Sequence, residues 1–251
     1  MEILWLFAFL AGFIDSVVGG GGLIQLPALL LFLPASLALP TVFGTNKFSS
    51  ICGTTAAALQ YSRKISLPWR SIIPAAAAAF VFAFLGARIV TGINPQILRI
   101  VVLALLIAVA FYTYRRGELG NLHAPQFAPG RERVVGILVG GAIGFYDGFF
   151  GPGTGSFLIF IFIGLFGFDF LTASASAKVI NLATNLAAVI YFGWTDQILY
   201  RYAIPMGICN VLGSLLGTRL AILKGNRFVR AFFLIIVSML IVRYGWEVFA
   251  S

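Results

Sequence analysis

The stretch Gly12-Phe-Ile-Asp-Ser-Val-Val-Gly-Gly-Gly-Gly-Leu-Ile-Gln-Leu-Pro27 decides the fold of this chain, and it has a second copy, Gly144-Phe-Tyr-Asp-Gly-Phe-Phe-Gly-Pro-Gly-Thr-Gly-Ser156. In each copy an aspartate (Asp15, Asp147) stands four residues before a glycine run, which starts at Gly19 or Gly151. Both runs interrupt apolar sequence. Glycine at this density unwinds a helix, because it adds backbone freedom and brings no packing side chain. Bare backbone inside a bilayer is tolerated only where protein covers it or it lines a cavity. Two such breaks at matching places in two halves point to a transporter binding site.

The surrounding composition agrees. Of 251 residues, 60% are hydrophobic and 10% charged, with a mean hydropathy of +1.00. Soluble domains are about 45–50% apolar and roughly 25% charged, so a polytopic membrane protein is expected. The start, Met1-Glu-Ile-Leu-Trp5, has no basic n-region and no small-residue cleavage site, and no cleaved signal peptide is expected. The net charge of +9 comes from Lys and Arg clustered in short loops, as positive-inside topology requires. No soluble basic domain exists to bind nucleic acid. Cys52 and Cys209 sit in apolar stretches without ligand spacing and read as small core residues. No metal site and no cofactor is expected. Trp5, Trp69, Trp194 and Trp246 fall near predicted membrane interfaces.

The apolar units run 3–18 and 23–33 around the first break, then 41–62, 70–92 and 96–114. The second half follows with 134–150 and 156–167 around its break, then 170–193, 199–222 and 227–249. Residues 115–133 form the only long polar loop, read as the linker between a first bundle, 1–114, and a second, 134–251. Its lone histidine, His123, reads as solvated. The halves are repeats. Lys47 and Lys178 differ by 131, as do Pro74 and Pro205, Gly86 and Gly217, Arg88 and Arg219, and Arg99 and Arg230. Asp15 and Asp147 differ by 132. Identities in one register across separate segments indicate an internal duplication.

Charge placement indicates that the repeats are inverted. Arg63, Lys64 and Arg70 flank the loop between the second and third units of the first half, where the second half has Asp196 and Arg201. The next loop reverses the bias: Arg88 and Arg99 in the first half, Arg219, Lys224, Arg227 and Arg230 in the second. A basic side that swaps between halves is the pattern of inverted repeats. Inversion needs an odd number of passes per half, which fits if each glycine-broken unit is a re-entrant turn or two short spans. The expected fold is therefore all-α: a polytopic membrane protein of two inverted repeats of four helical units. Eight simple spans with parallel halves is the alternative.

The second unit of each half carries residues unusual for a membrane helix. Lys47, Ser50 and Thr54 lie on one helical face, and Lys178, Asn181 and Asn185 are the same face in the other half. A charge at membrane depth normally faces the interior or a cavity; a lysine near a helix end can also snorkel to the interface. Two cations beside glycine loops suggest an anion. Helices are expected to begin at Gly22 and Gly155, with free N–H groups and the positive dipole end toward the breaks. The candidate substrate-binding residues are thus Gly20, Gly21, Gly22, Asn46, Lys47 and Ser50 in the first half, and Gly153, Thr154, Gly155, Ser156, Lys178, Asn181 and Asn185 in the second. The glycines could instead serve helix packing, as Gly213 and Gly217 suggest. Asp15 and Asp147, the only acids deep in apolar sequence, are candidates for proton or cation coupling, or for capping the glycine-loop amides. No nucleophile–base pair, metal motif or phosphate loop appears, which argues against an enzyme.

These residues carry a resemblance. The Gly-Phe starts with their aspartates, the runs Gly19–Gly22 and Gly151–Ser156, Thr45-Asn-Lys47, and Ala177-Lys178 followed by Asn181 resemble the TauE/SafE family of sulfite exporter-like permeases over nearly the whole chain. The resemblance implies a permease of the cell membrane, a bacterial inner membrane, moving a small sulfur-containing anion: sulfite, a sulfonate, sulfoacetate or thiosulfate. Exact substrate, direction and coupling ion stay open, with protons the candidate ion, and a homodimer is equally open. The alternative is an anion channel, or a membrane subunit delivering substrate to a partner enzyme. Ala177 stands where the first half has Asn46, so the two half-sites differ.

Inversion predicts both termini outside. Cysteines introduced at Glu2 and Ser66 should label from opposite sides of the membrane, and those at Ser66 and Gly225 from the same side. Labelling of Ser66→Cys and Gly225→Cys from opposite sides would sink the inversion.

Overall fold

The computed structural model describes residues 2–34, 36–89, 107 and 123–249. The fourth unit expected at 96–114 lies outside the described residues, except for position 107. Among the described residues the chain is all-helical, with eight helices and no strand. They are α1 (Glu2–Val18), α2 (Gly22–Phe32), α3 (Leu39–Ser62), α4 (Trp69–Ile89), α5 (Pro129–Phe149), α6 (Thr154–Gly164), α7 (Phe170–Trp194) and α8 (Tyr200–Phe249). Gly225, at φ 71°, breaks α8 in two, close to the boundary expected from sequence. α4 and α7 are each long and apolar enough to cross a bilayer. α5 starts inside the stretch read as linker, because Pro129 suits the first helical turn, where its missing N–H costs nothing.

Both glycine runs reverse the chain. Past Gly19 (φ 71°), α2 runs back along α1, so that the Phe7 and Phe32 rings lie 6.1 Å apart. Past Gly153 (φ 87°), α6 runs back along α5 until the Gly167 carbonyl accepts the amide of Ala124, just ahead of α5. The two hairpins meet tip to tip. A side chain at Gly19 or at Gly155 would run into the other's backbone.

Close helix approach builds the rest. Gly140, Gly144 and Gly148 follow one face of α5, and any Cβ there would strike the backbone of Ala75, Ala79 or Ala83 on α4. Small residues every fourth position let two helices come into backbone contact where burial of apolar surface gives no drive. α1 and α8 meet similarly, with Gly213 and Gly217 against the backbone of Phe9 and Phe13. The contacts correspond at the sequence offsets. Gly12 faces Asn210 as Gly144 faces Ala79, and Gly217 faces Phe13 as Gly86 faces Phe145.

His123 is exposed, as its place in a polar loop suggests, but it is not without partners. Its ring stacks on Phe168 at 5.2 Å, and its Nδ1 lies 3.3 Å from Asp169 Oδ2. Asp169 in turn caps α7, accepting from the Leu171 and Thr172 amides. The histidine was read as solvated because its partner lies 46 residues away in the chain.

Gly148→Ala must push α4 off α5, and overpacking of this kind costs about 1–3 kcal/mol. Gly130→Ala, where a Cβ would meet nothing within 4 Å, should be neutral. Thermal unfolding in detergent compares the two; equal stability would remove the close-approach argument.

Candidate functional site

The glycine breaks leave backbone groups that a membrane interior cannot hydrate, and the chain satisfies those of α1 with hydroxyls. Tyr61 donates to the Ser16 carbonyl at 3.0 Å, and Ser174 to that of Val17 at 3.0 Å. Ser156 donates to the carbonyls of Val18 and Gly19 at 2.9 and 2.6 Å. The second break is tied locally, by Tyr146 donating to the Pro152 carbonyl and Thr154 to that of Gly151, both at 2.7 Å. Gly21 donates its amide to Asp15 Oδ1 at 3.3 Å. Among the described residues, the amides of Gly20, Gly153 and Gly155 find no acceptor. They belong to the positive ends of α2 and α6.

Four charges, three of them buried, surround these tips in crossed pairs. Lys47 of α3 lies 2.7 Å from Asp147 of α5. Lys178 of α7 donates to Asp15 of α1 at 2.7 Å. Each half's lysine thus holds the other half's aspartate. The pairs differ in detail. Lys178 is fully buried, whereas the Asp15 carboxylate keeps some exposure. Lys47 meets Asp147 as a charge pair without hydrogen-bond alignment, leaving Asp147 Oδ2 buried and without a hydrogen-bond partner.

A cavity of about 30 Å³ lies between the tips, room for a water or two. Gly19–Gly22 and Asp15 line it from the first hairpin, and Asp147, Gly151, Gly153, Thr154 and Gly155 from the second. Asn46, Lys47, Ser50 and Thr54 of α3 complete it with Asn181 and Asn185 of α7. Asn185 donates to Thr54 at 3.5 Å, and the carbonyl oxygens of the Asn46 and Asn181 side chains are buried and unpartnered. Two residues singled out in the sequence do not reach the cavity. Ser156 spends its proton on α1, and Lys178 sits behind Asp15.

Sequence reasoning missed Gln25 and Asn210. Asn210 donates to Gln25 at 2.8 Å and Gln25 reaches the Asn46 carbonyl at 3.4 Å, bracing α2, α3 and α8. The available signal was an isolated amide in each of two apolar helices.

Helix-break hairpins meeting around buried charges form the arrangement of a membrane transporter rather than an enzyme. A family model described as "Sulfite exporter TauE/SafE" matches residues 4–244, and the chain belongs to this family. A probable membrane transporter protein, ORF9, from Sinorhizobium sp is 34% identical over 97% of this chain and 91% of its own length. One from Haemophilus influenzae is 34% identical over 98% and 95%. YfcA of Escherichia coli K12, also named a probable membrane transporter protein, is 31% identical over 96% and 87%. No solved structure gives a significant match. The protein is thus a membrane transporter, and its place is the membrane.

Lys47→Met leaves Asp147 buried and uncompensated, which costs about 3–5 kcal/mol when one partner of a buried pair is removed. Adding Asp147→Asn should restore much of that stability, giving a positive coupling in a double-mutant cycle of thermal unfolding. Additive losses would show that the pair contributes nothing.

Proposed function

We propose that the chain is a secondary transporter of a small sulfur-containing anion: sulfite, a sulfonate, sulfoacetate or thiosulfate. The observation that carries this reading is the crossed Lys–Asp pairs at the glycine tips. An anion can take over a lysine that a carboxylate already occupies, and the free tip amides offer it further donors. In this reading Lys47, Asn46, Ser50, Asn181, Asn185, Thr154 and the glycines Gly20, Gly21, Gly22, Gly153 and Gly155 contact the substrate. Lys178 acts through Asp15. Protons are the proposed coupling ion, with Asp15 and Asp147 as carriers, since an anion that takes a lysine leaves its aspartate to hold the compensating charge. A cavity with room for a water or two does not admit a four-atom oxyanion, so binding requires the tips to part.

The same reading makes the halves, 1–114 and 134–251, inverted repeats joined by a cytoplasmic linker, each with a re-entrant first unit. Contacts support it. Arg63 and Lys64 lie with Ile222 and Leu223, residues 67–71 lie with Pro129 and Glu132, and Asn226 accepts from the Leu171 amide. The basic loops therefore gather at one end of the bundle.

Proteoliposomes tested with the four anions should show saturable uptake of at least one, driven by a proton gradient. Lys47→Met combined with Asp147→Asn should raise the half-saturating concentration roughly tenfold or more, the worth of one charged hydrogen bond. Non-saturating flux that never runs against a gradient would favour a channel. Saturable uptake unchanged in the double variant would remove Lys47 from the site.

A further inference from the structure

A second concavity lies away from the cavity, at the ends of α3 and of the first part of α8. It holds about 590 Å³. Its lower wall is apolar, made by Leu59, Leu215 and Leu223, which are 53%, 42% and 71% exposed. Its rim is cationic, made by Arg63, Lys64 and Arg219. No acidic residue lines it, and among the described residues none of the three cations pairs with a carboxylate. The buried side-chain oxygen of Gln60, in the groove wall, has no hydrogen-bond partner.

The opposite half fills the corresponding place. At the offset of 131, Tyr191 stands where Gln60 does and Phe84 where Leu215 does. Their rings pack edge to face at 5.7 Å. Trp194 and Thr195 replace Arg63 and Lys64. The groove is therefore not a by-product of the helix arrangement that both halves share. It exists where two aromatics are replaced by smaller side chains and two cations are added.

We infer that this groove binds an anionic phospholipid. The phosphodiester sits among Arg63, Lys64 and Arg219, and an acyl chain lies along Leu59, Leu215 and Leu223. Charge complementarity selects this occupant. Arginine forks match phosphate oxygens bidentately, and a basic pocket between membrane helices is suited to an anionic headgroup. A purely apolar occupant would leave three cations unpaired, and a soluble phosphate would leave the leucines uncovered. A choline headgroup would bring its own positive charge into the cationic rim. Bound there, the lipid bridges α3, which carries Lys47 at its other end, to α8, which carries Asn210.

The test uses the full-length protein, purified and delipidated in detergent, titrated with dioleoylphosphatidylglycerol or dioleoylphosphatidylcholine. Bound lipid is read by native mass spectrometry. Phosphatidylglycerol should give one saturable adduct that phosphatidylcholine does not. Each cation near an anionic lipid surface contributes about 1 kcal/mol, so Arg63→Gln, Lys64→Gln and Arg219→Gln together should weaken it on the order of a hundredfold. These side chains are exposed and unpaired, so the variant should fold. A matched control, Arg70→Gln with Lys224→Gln and Arg227→Gln, removes the same charge outside the groove and should leave the adduct within about twofold. Leu59→Trp keeps the cations, narrows the apolar wall and should also weaken binding. Equal binding of the two lipids, equal loss in the control, or displacement of the lipid by equimolar glycerol 1-phosphate would each overturn the proposal.

Discussion

Two largely buried ion pairs cross between the hairpins and the long helices α3 and α7. Lys47 with Asp147 and Lys178 with Asp15 join residues 100 and 163 positions apart. Burying four charges in an apolar bundle is unfavourable in itself, and replacing a buried pair with well-packed apolar side chains is often neutral or stabilising. Net stabilisation alone therefore does not account for them. Because the pairs cross, neither half can satisfy its own charges. Asp15 beside the first tip is tied to Lys178 of α7 and Asp147 beside the second to Lys47 of α3, so movement of a tip changes the charge balance at the lysine it faces.

The hairpins themselves depend on where backbone hydrogen bonds go. A helix end buried away from water leaves its last carbonyls without partners, and each orphan costs several kcal/mol in an apolar medium. Here α1 stops at Val18, and hydroxyls from α3, α6 and α7 cap the carbonyls of residues 16–19. One of those hydroxyls, on Ser156, belongs to the opposing tip. The contact that completes the first break therefore fastens it to the second, and the same glycines that permit the turn permit the approach.

Much of this was legible in the sequence because it is local or periodic. Among the described residues, helix limits followed the apolar runs to within a few residues, except at α5, which starts five positions early at Pro129. The glycine runs located the chain reversals, and Lys47, Ser50 and Thr54 on one helical face marked the side of α3 that lines the cavity. What spacing cannot give is which distant group a side chain meets. The aspartates were weighed as amide caps or ion carriers, and Asp15 does accept from Gly21, but its charge is met by Lys178. Ser156 looks from its position like an anion donor, yet its single proton goes to the carbonyls of Val18 and Gly19. His123 has a carboxylate partner contributed by the cap of α7. In each case the donor or charge was visible and its acceptor was tertiary.

The two lysine-bearing helices differ in what reaches the cavity. In the first half, Asn46 and Lys47 are adjacent and both line it; in the second, Ala177 replaces the asparagine and Lys178 is fully buried behind Asp15. On the proposed function, an incoming anion would meet the ammonium of Lys47 directly but Lys178 only by moving Asp15, a carboxylate that repels it. On the proposed function this divides the labour between the pairs. In that reading the Lys47–Asp147 pair is the one an anion exchanges with, since both of its members line the cavity. The Lys178–Asp15 pair, hydrogen-bonded and with its lysine fully buried, is in that reading the latch that keeps the first hairpin seated while the exchange occurs. A site with two equivalent lysines would bind its anion between two positive charges and release it slowly. Screening one of them with Asp15 lowers the net positive charge at the site and leaves a single accessible cation, which favours release as well as capture.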